Sequence, residues 1–172
     1  MIMELIIPDR KYFQSYVEAE QENQERHVIA RNFLQGTEEE VFAEFERCRT
    51  GVGLPEGWVK STYLWLVDGD EFIGEVSIRH ELTDDLLRFG GNIGYGIRPS
   101  RWREGLGTKM LQMTLQYCKE ELGLKKVLVT CDDKNYGSAG VAENNGGVLW
   151  DKVENMIRGE KHLTRRYWIE IS

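Results

Sequence analysis

The sequence predicts a mixed α/β fold in a single domain over residues 1–172, with a mostly antiparallel, twisted sheet of about six to seven strands flanked by about four helices. Three observations carry this. Segments whose apolar residues recur at helical spacing alternate with short β-rich runs. A length of 172 residues with 41% apolar residues suits one core of ordinary size. No repeat, low-complexity tract or linker divides the chain.

Residues 3–7 are a short apolar run closed by Pro8. No cationic start precedes it, so it reads as a first strand and not as a signal peptide. Residues 9–26 are polar, with Phe13, Tyr16 and Val17 on one side of an amphipathic helix. Thr37 followed by Glu40 is a capping box. Val41, Phe42, Phe45 and Cys48 recur behind it, so a second helix runs to about Arg49. Gly and Pro make residues 50–61 a loop. Residues 62–67 and 71–80 are then two strands joined by Asp68-Gly69-Asp70. Residues 82–89 read as a connection. Residues 92–98 are a third strand broken by Gly94 and Gly96, which mark a bulge or a close backbone approach. The strongest helix covers residues 105–122: Leu111, Leu115, Cys118 and Leu122 make one ridge, Leu106, Met110, Met113 and Tyr117 the next, and Gly123 stops it. Residues 126–130 form a buried strand and residues 138–144 a short helix closed by Gly146-Gly147. A final hairpin pairs residues 148–153 with 164–171.

A net charge of −7 argues against a nucleic-acid partner, which calls for a basic face, and is compatible with a cationic one. Cys48, Cys118 and Cys131 are odd in number and form no Cys-x-x-Cys pair. This disfavours a disulfide framework or a zinc site, and favours a reducing, cytoplasmic setting. No apolar run is long enough for a membrane span, and no metal site is expected. His27 and His162 lie in polar contexts and read as surface side chains. Cys131 ends a strand with no His or Asn placed in sequence to activate it, so it reads as a structural cysteine.

Residues 99–109 read Pro-Ser-Arg-Trp-Arg-Glu-Gly-Leu-Gly-Thr-Lys. The strand ends at Pro99, Gly105 and Gly107 follow, and the helix begins at once. The first N–H groups of a helix lack internal partners and sit at the positive end of its dipole; glycines let an anion approach them. Arg101, Arg103 and Lys109 add positive charge within an acidic chain. The order is not that of a nucleotide P-loop, and Met110 stands where a dinucleotide fingerprint needs a small residue. The loop alone leaves two readings: a phosphate grip, or a helix start with incidental glycines.

The neighbouring motifs bear on that choice. Ile93-Gly94-Tyr95-Gly96-Ile97-Arg98-Pro99, Trp102-Arg103-Glu104-Gly105-Leu106-Gly107-Thr108, Asn135-Tyr136-Gly137-Ser138 and Gly146-Gly147 together resemble the GNAT superfamily of N-acetyltransferases. The resemblance implies the GNAT fold and acetyl-coenzyme A as acyl donor. It assigns the donor's contacts to Tyr95, Gly96 and Ile97, to Trp102, Arg103, Glu104, Gly105, Leu106, Gly107 and Thr108, and to Asn135 and Ser138. The family's pyrophosphate loop opens on Arg or Gln; here Trp102 stands in that place, with Arg101 or Arg103 as replacement charge. Leu54-Pro55-Glu56-Gly57-Trp58-Val59, Ile78-Arg79-His80-Glu81-Leu82 and Arg166-Tyr167-Trp168 are similar to a subgroup of predicted acetyltransferases with unassigned substrates. The similarity runs from about Leu54 to the C-terminus, and the first two helices match in kind only.

Acetyl transfer to an amine needs a hydrogen-bond donor for the thioester carbonyl and a group that takes the amine's proton. A lysine-like amine holds that proton up to about pH 10.4. The resemblance implies the backbone N–H of Ile97 as the carbonyl donor. Many members carry a Glu early in this strand, where the chain has Gly91-Asn92; the subgroup often has His at the place of Asn92. Many carry a Tyr shortly after the serine, where Ala142 stands. His80 and Glu81 are the remaining catalytic candidates, with Arg79 and Trp58 as candidate substrate contacts. Strand alternation puts Arg79 and Glu81 on one face and His80 on the other. The competing reading is a solvated strand end with an Arg–Glu pair, and for Trp58 a core aromatic. The expected function is transfer of the acetyl group to a primary amine of a small molecule or peptide, by direct attack in a ternary complex. No nucleic-acid or membrane partner is expected, and a homodimer is a compatible assembly. Two alternatives stay open: an acetyl-coenzyme A sensor without turnover, and a transferase for a longer acyl group.

Overall fold

The computed structural model describes residues 2–28 and 33–171. In chain order they form β1 (Met3–Ile6), α1 (Phe13–Glu25), α2 (Glu38–Thr50), β2 (Ser61–Asp68), β3 (Glu71–Arg79), α3 (Asp84–Arg88), β4 (Ile93–Ile97), α4 (Leu106–Leu122), β5 (Lys126–Asp132), α5 (Tyr136–Asn144), β6 (Val148–Ile157) and β7 (Glu160–Glu170). The strands make two sheets, ordered β1-β2-β3-β4 and β5-β7-β6. This is the mixed α/β architecture the sequence predicts. Contacts gather the chain into two compact units: Met1–Ile78 with Tyr95–Leu106, and Arg79–Gly94 with Gly107–Ser172.

In the first unit, β1 pairs antiparallel with β2, Met3 opposite Asp68 and Ile6 opposite Trp65. The core there is aromatic. Tyr12, Tyr16, Phe33, Phe45, Trp65 and Phe72 are buried together with Ala19, Val41 and Val67. The Tyr16 and Trp65 rings stack at 4.7 Å. A carboxylate lies among them: Glu75, 1% exposed, accepts hydrogen bonds from the Tyr16 hydroxyl at 2.9 Å and the Trp65 indole at 3.0 Å. The predicted capping box opens α2, with Thr37 Oγ1 accepting from Glu40 N and Glu40 Oε1 from Thr37 N. Gly51, in the left-handed region at φ 79°, closes it.

In the second unit, α4 buries Leu106, Met110, Leu111, Thr114 and Cys118 along one face. Leu106 itself belongs to the first unit. Thr114 satisfies its hydroxyl within the helix, on the Met110 carbonyl. β5 and β6 flank β7, both antiparallel to it. Two differences from the sequence reading arise here. The hairpin is longer than 148–153 with 164–171, because Arg158 at φ 52° and Gly159 at φ 79° make a tight turn between Ile157 and Glu160. And residues 82–89 hold α3, whose first turn Thr83 caps by accepting from Leu86 N at 3.2 Å. From α3, Arg88 donates to the Glu154 carbonyl at 2.9 Å, which covers part of the open edge of β6.

Candidate functional site

The loop before α4 is anchored in the first unit. Arg98, 5% exposed, donates to Glu22 of α1 at 3.1 and 2.5 Å, to Ser15 Oγ and to the Phe72 carbonyl. Glu22 also accepts from Ser100 N at 2.9 Å. Burial pushes the Glu22 carboxyl upward, but the hydrogen bonds from Arg98 and Ser100 outweigh it and hold the group below the usual carboxylate range. A 3-10 turn over Pro99–Arg101 follows. The Trp102 indole then folds back and donates to the Ile97 carbonyl at 2.8 Å, while Arg26 lies over its ring. Trp102 therefore ties the loop to the end of β4.

Arg103 and Gly105 both take left-handed backbone, at φ 65° and 75°, just before the first turn of α4. A Cβ on Gly105 would meet nothing within 4 Å, so the glycine is there for its conformation and leaves open space beside the helix start. Of the two arginines weighed as replacement charge, Arg101 is committed elsewhere. It pairs with Glu71 and with Glu104 at 3.0 Å, and lies 3.8 Å from Asp68. Among the described residues Arg103 makes no ion pair and is exposed. Glu104 and Thr108 are exposed and half-buried, Gly107 is half-buried, and Leu106 is buried. In β4, Tyr95, Gly96 and Ile97 are half-buried.

The start of β4 explains the absence of a carboxylate there. Asn92, 5% exposed, accepts on its backbone carbonyl from Arg79 N and donates from its backbone N–H to the Leu128 carbonyl. Its side chain repeats the pattern, donating to the Arg79 carbonyl at 3.1 Å and accepting from Leu128 N at 2.8 Å. It is a clamp between Arg79 and Leu128. The Arg79 guanidinium closes the same corner on the Gly90 and Gly91 carbonyls. His80 is half-buried and Glu81 exposed. Trp58 is 61% exposed at a turn, with its N–H on the Pro55 carbonyl, so it is not a core aromatic; Trp65 is.

At the end of β5 the second unit gathers further polar groups. Asn135 caps α5, its Oδ1 accepting from Ser138 N at 3.1 Å, and its own N–H bonds the Asp132 carbonyl. Asp132 Oδ1 accepts from Lys134 N. The other oxygen, Oδ2, meets His162 Nδ1 of β7 at 2.7 Å. The Lys134 N–H and then His162 lower the Asp132 carboxyl from its ordinary value. The sequence reading placed His162 on the surface; its side chain is 34% exposed, with Nδ1 on Asp132 and Nε2 3.7 Å from Glu160 Oε2. Thirty residues separate the pair, and nothing in the sequence ties them. Beside it, Asp133 holds Lys152 and Arg165, both at 2.8 Å, and Arg165 lies over the Tyr136 ring. Burial pushes the Cys131 thiol up to about 11, the opposite of an activated nucleophile. Ala142, where the resemblance looks for a tyrosine, is fully buried.

An open cleft of about 500 Å³ in the first unit, lined by Glu18, Asp68, Asp70 and Glu71 with Lys11 and Arg98, contains none of the predicted site residues. Among the described residues no helix is long and apolar enough to cross a membrane, and no group of His, Cys, Asp and Glu is gathered to hold a metal.

A sequence model of the family described as "Acetyltransferase (GNAT) domain" matches residues 8–148. The chain belongs to the GNAT acetyltransferase family. It is a transferase of that class. No curated protein matches it by sequence. GNAT structures with the same fold include the microcin C7 self-immunity acetyltransferase MccE in complex with acetyl-CoA and AMP (16% identity, TM-score 0.74, 98% of this chain and 92% of that one). A ribosomal-protein-S5-alanine acetyltransferase from Vibrio fischeri is similar at 12% identity, TM-score 0.73, with 99% and 93% covered. A spermidine N-acetyltransferase SpeG chimera from Vibrio cholerae and hSSAT is similar at 16%, TM-score 0.67, with 97% and 96% covered. At these identities the likeness is one of fold.

Proposed function

We propose that the protein transfers the acetyl group of acetyl-coenzyme A to a primary amine of a small molecule or peptide, by direct attack in a ternary complex within a single catalytic domain. The observation that carries this reading is the left-handed Arg103–Gly105 turn opening on α4. Arg103 beside it is exposed and makes no ion pair among the described residues. Backbone donors at a helix start fit a pyrophosphate. On this reading residues 102–108 take the pyrophosphate, and Tyr95, Gly96 and Ile97 offer main-chain groups to the pantetheine arm. Ile97 N–H is assigned to the thioester carbonyl, and Asn135 and Ser138 to further contacts with the donor. Arg79, Trp58, His80 and Glu81 are assigned to the acceptor amine, the last two as candidates for handling its proton. The structural relatives support an amine acceptor: one is named for an alanine of a ribosomal protein, another for spermidine.

A second reading, a coenzyme-binding module without turnover, is favoured by one observation. Asn92 and Ala142 put no titratable group where the resemblance expects a base and an acid, and Asn92 is spent on Arg79 and Leu128. The two readings part on thiol release. Incubation with acetyl-coenzyme A and a panel of polyamines, diamines and free-N-terminal peptides is expected to release one thiol per amine acetylated. Coenzyme binding without thiol release from any amine supports the module instead.

A further inference from the structure

We infer that Trp102 is a positioning residue for the acetyl group: its indole fixes the Ile97 peptide so that the Ile97 N–H is presented to the thioester carbonyl. The inference rests on the acetyltransferase reading and deepens it, giving Trp102 a task apart from the pyrophosphate. β4 lies at the end of its sheet, with β3 as its neighbour. Arg98 N donates to the Ile73 carbonyl of β3 at 2.8 Å. Successive residues of a strand direct their main-chain groups to opposite sides. Ile97 therefore directs its N–H and its carbonyl away from β3. The partner of that carbonyl agrees, for it is the Trp102 indole, at 2.8 Å.

The peptide between Ile97 and Arg98 is thus held at both ends, its oxygen by Trp102 and its N–H by Ile73. The buried Arg98 side chain anchors it further, on Glu22, Ser15 and the Phe72 carbonyl. Trp102 is fixed from its own side as well. Its N–H closes the turn on the Pro99 carbonyl at 3.2 Å, and the Arg26 guanidinium lies 5.7 Å over its ring. All of these residues belong to the first unit. Two consequences follow for Ile97. A donor held in this way needs no reorganisation as negative charge develops on the thioester oxygen. And a bare Ile97 carbonyl would set partial negative charge beside that oxygen, whereas a carbonyl bonded to the indole is partly neutralised. Trp102 spends its one polar side-chain atom on β4, which leaves the phosphates to main-chain donors and Arg103.

Trp102→Phe and Trp102→His test this. An imidazole overlays the five-membered half of an indole, so a histidine Nε2 takes the place of the indole nitrogen. Phenylalanine fills more of the space and has no donor. Each variant is first checked for folding and for affinity for coenzyme A. Infrared spectra are then taken of acetyl-coenzyme A, isotopically labelled at the thioester carbonyl, free and bound. Binding to wild type is expected to lower the carbonyl stretch, because a fixed donor polarises the bond. Trp102→Phe is expected to bind coenzyme A within about twofold of wild type and to lose most of that lowering. Trp102→His, at about pH 8 where an imidazole is neutral, is expected to keep it. On an amine that wild type acetylates, Trp102→Phe is expected to lose about tenfold in kcat, equally with acetyl-pantetheine, which has no pyrophosphate. Packing of the ring alone would rank Phe above His. A pyrophosphate contact would weaken coenzyme A binding and spare acetyl-pantetheine. The inference is overturned if the bound stretch is the same in wild type and Trp102→Phe, if Phe outranks His, or if the loss lies in coenzyme A affinity alone. Binding to wild type with no lowering of the stretch overturns it too. Failure of wild type to bind acetyl-coenzyme A would instead sink the acetyltransferase reading beneath it.

Discussion

At the scale of single residues, Glu22 shows how a surface-looking helix acid becomes part of the loop's foundation. Its partner Arg98 has a side chain only 6% exposed, and its own is 24% exposed. Breaking such a pair leaves a charge short of partners, so Glu22→Gln should lower stability by about 1–3 kcal/mol at neutral pH. The carboxyl is lowered by folding, so its contribution is complete above the ordinary value of about 4.3 and is lost as pH falls through the lower folded value. Urea unfolding of wild type and variant should therefore diverge at pH 7 and converge in acid; a difference that stays constant with pH contradicts this role. Some residue-level features were legible in the sequence. Gly105 was legible as part of a glycine-bearing helix start. The Asn92 clamp was not, because its meaning lies in Leu128, 36 residues away, and the same holds for His162 and Asp132.

At the scale of elements, the chain was legible wherever a period was strong. The capping box of α2, the ridges of α4 and the paired strands β2 and β3 all followed from spacing. α3 escaped because its five residues bury none of their side chains and so leave no apolar stripe. The far halves of β6 and β7 escaped because residues 154–161 are largely polar and the turn is signalled only by Arg158-Gly159. Gly91 belongs to this scale as well. It has φ +62°, and a Cβ there would lie 2.4 Å from the Leu128 carbonyl oxygen. The glycine is what lets β5 approach the start of β4. Gly91→Ala should cost about 3 kcal/mol or more, from left-handed strain and overlap with backbone that has no side chain to move aside. A shift in the urea midpoint worth less than about 1 kcal/mol would show that β5 does not pack so closely.

At the scale of the whole molecule, the order of strands and helices gave the architecture, and the glycine loop with its neighbouring motifs gave the family. The partition into two compact units did not show in the sequence, since it depends on contacts and no linker marks it. All of this depends on the loop before α4 holding a coenzyme. Thermal unfolding with and without acetyl-coenzyme A tests that most directly. At about one hundred times its dissociation constant the ligand should add about 2.7 kcal/mol, which for a chain of this size is a rise of roughly 5–10 °C. Coenzyme A should act similarly, and ATP at the same concentration should not. An unfolding midpoint that neither coenzyme raises would contradict the account.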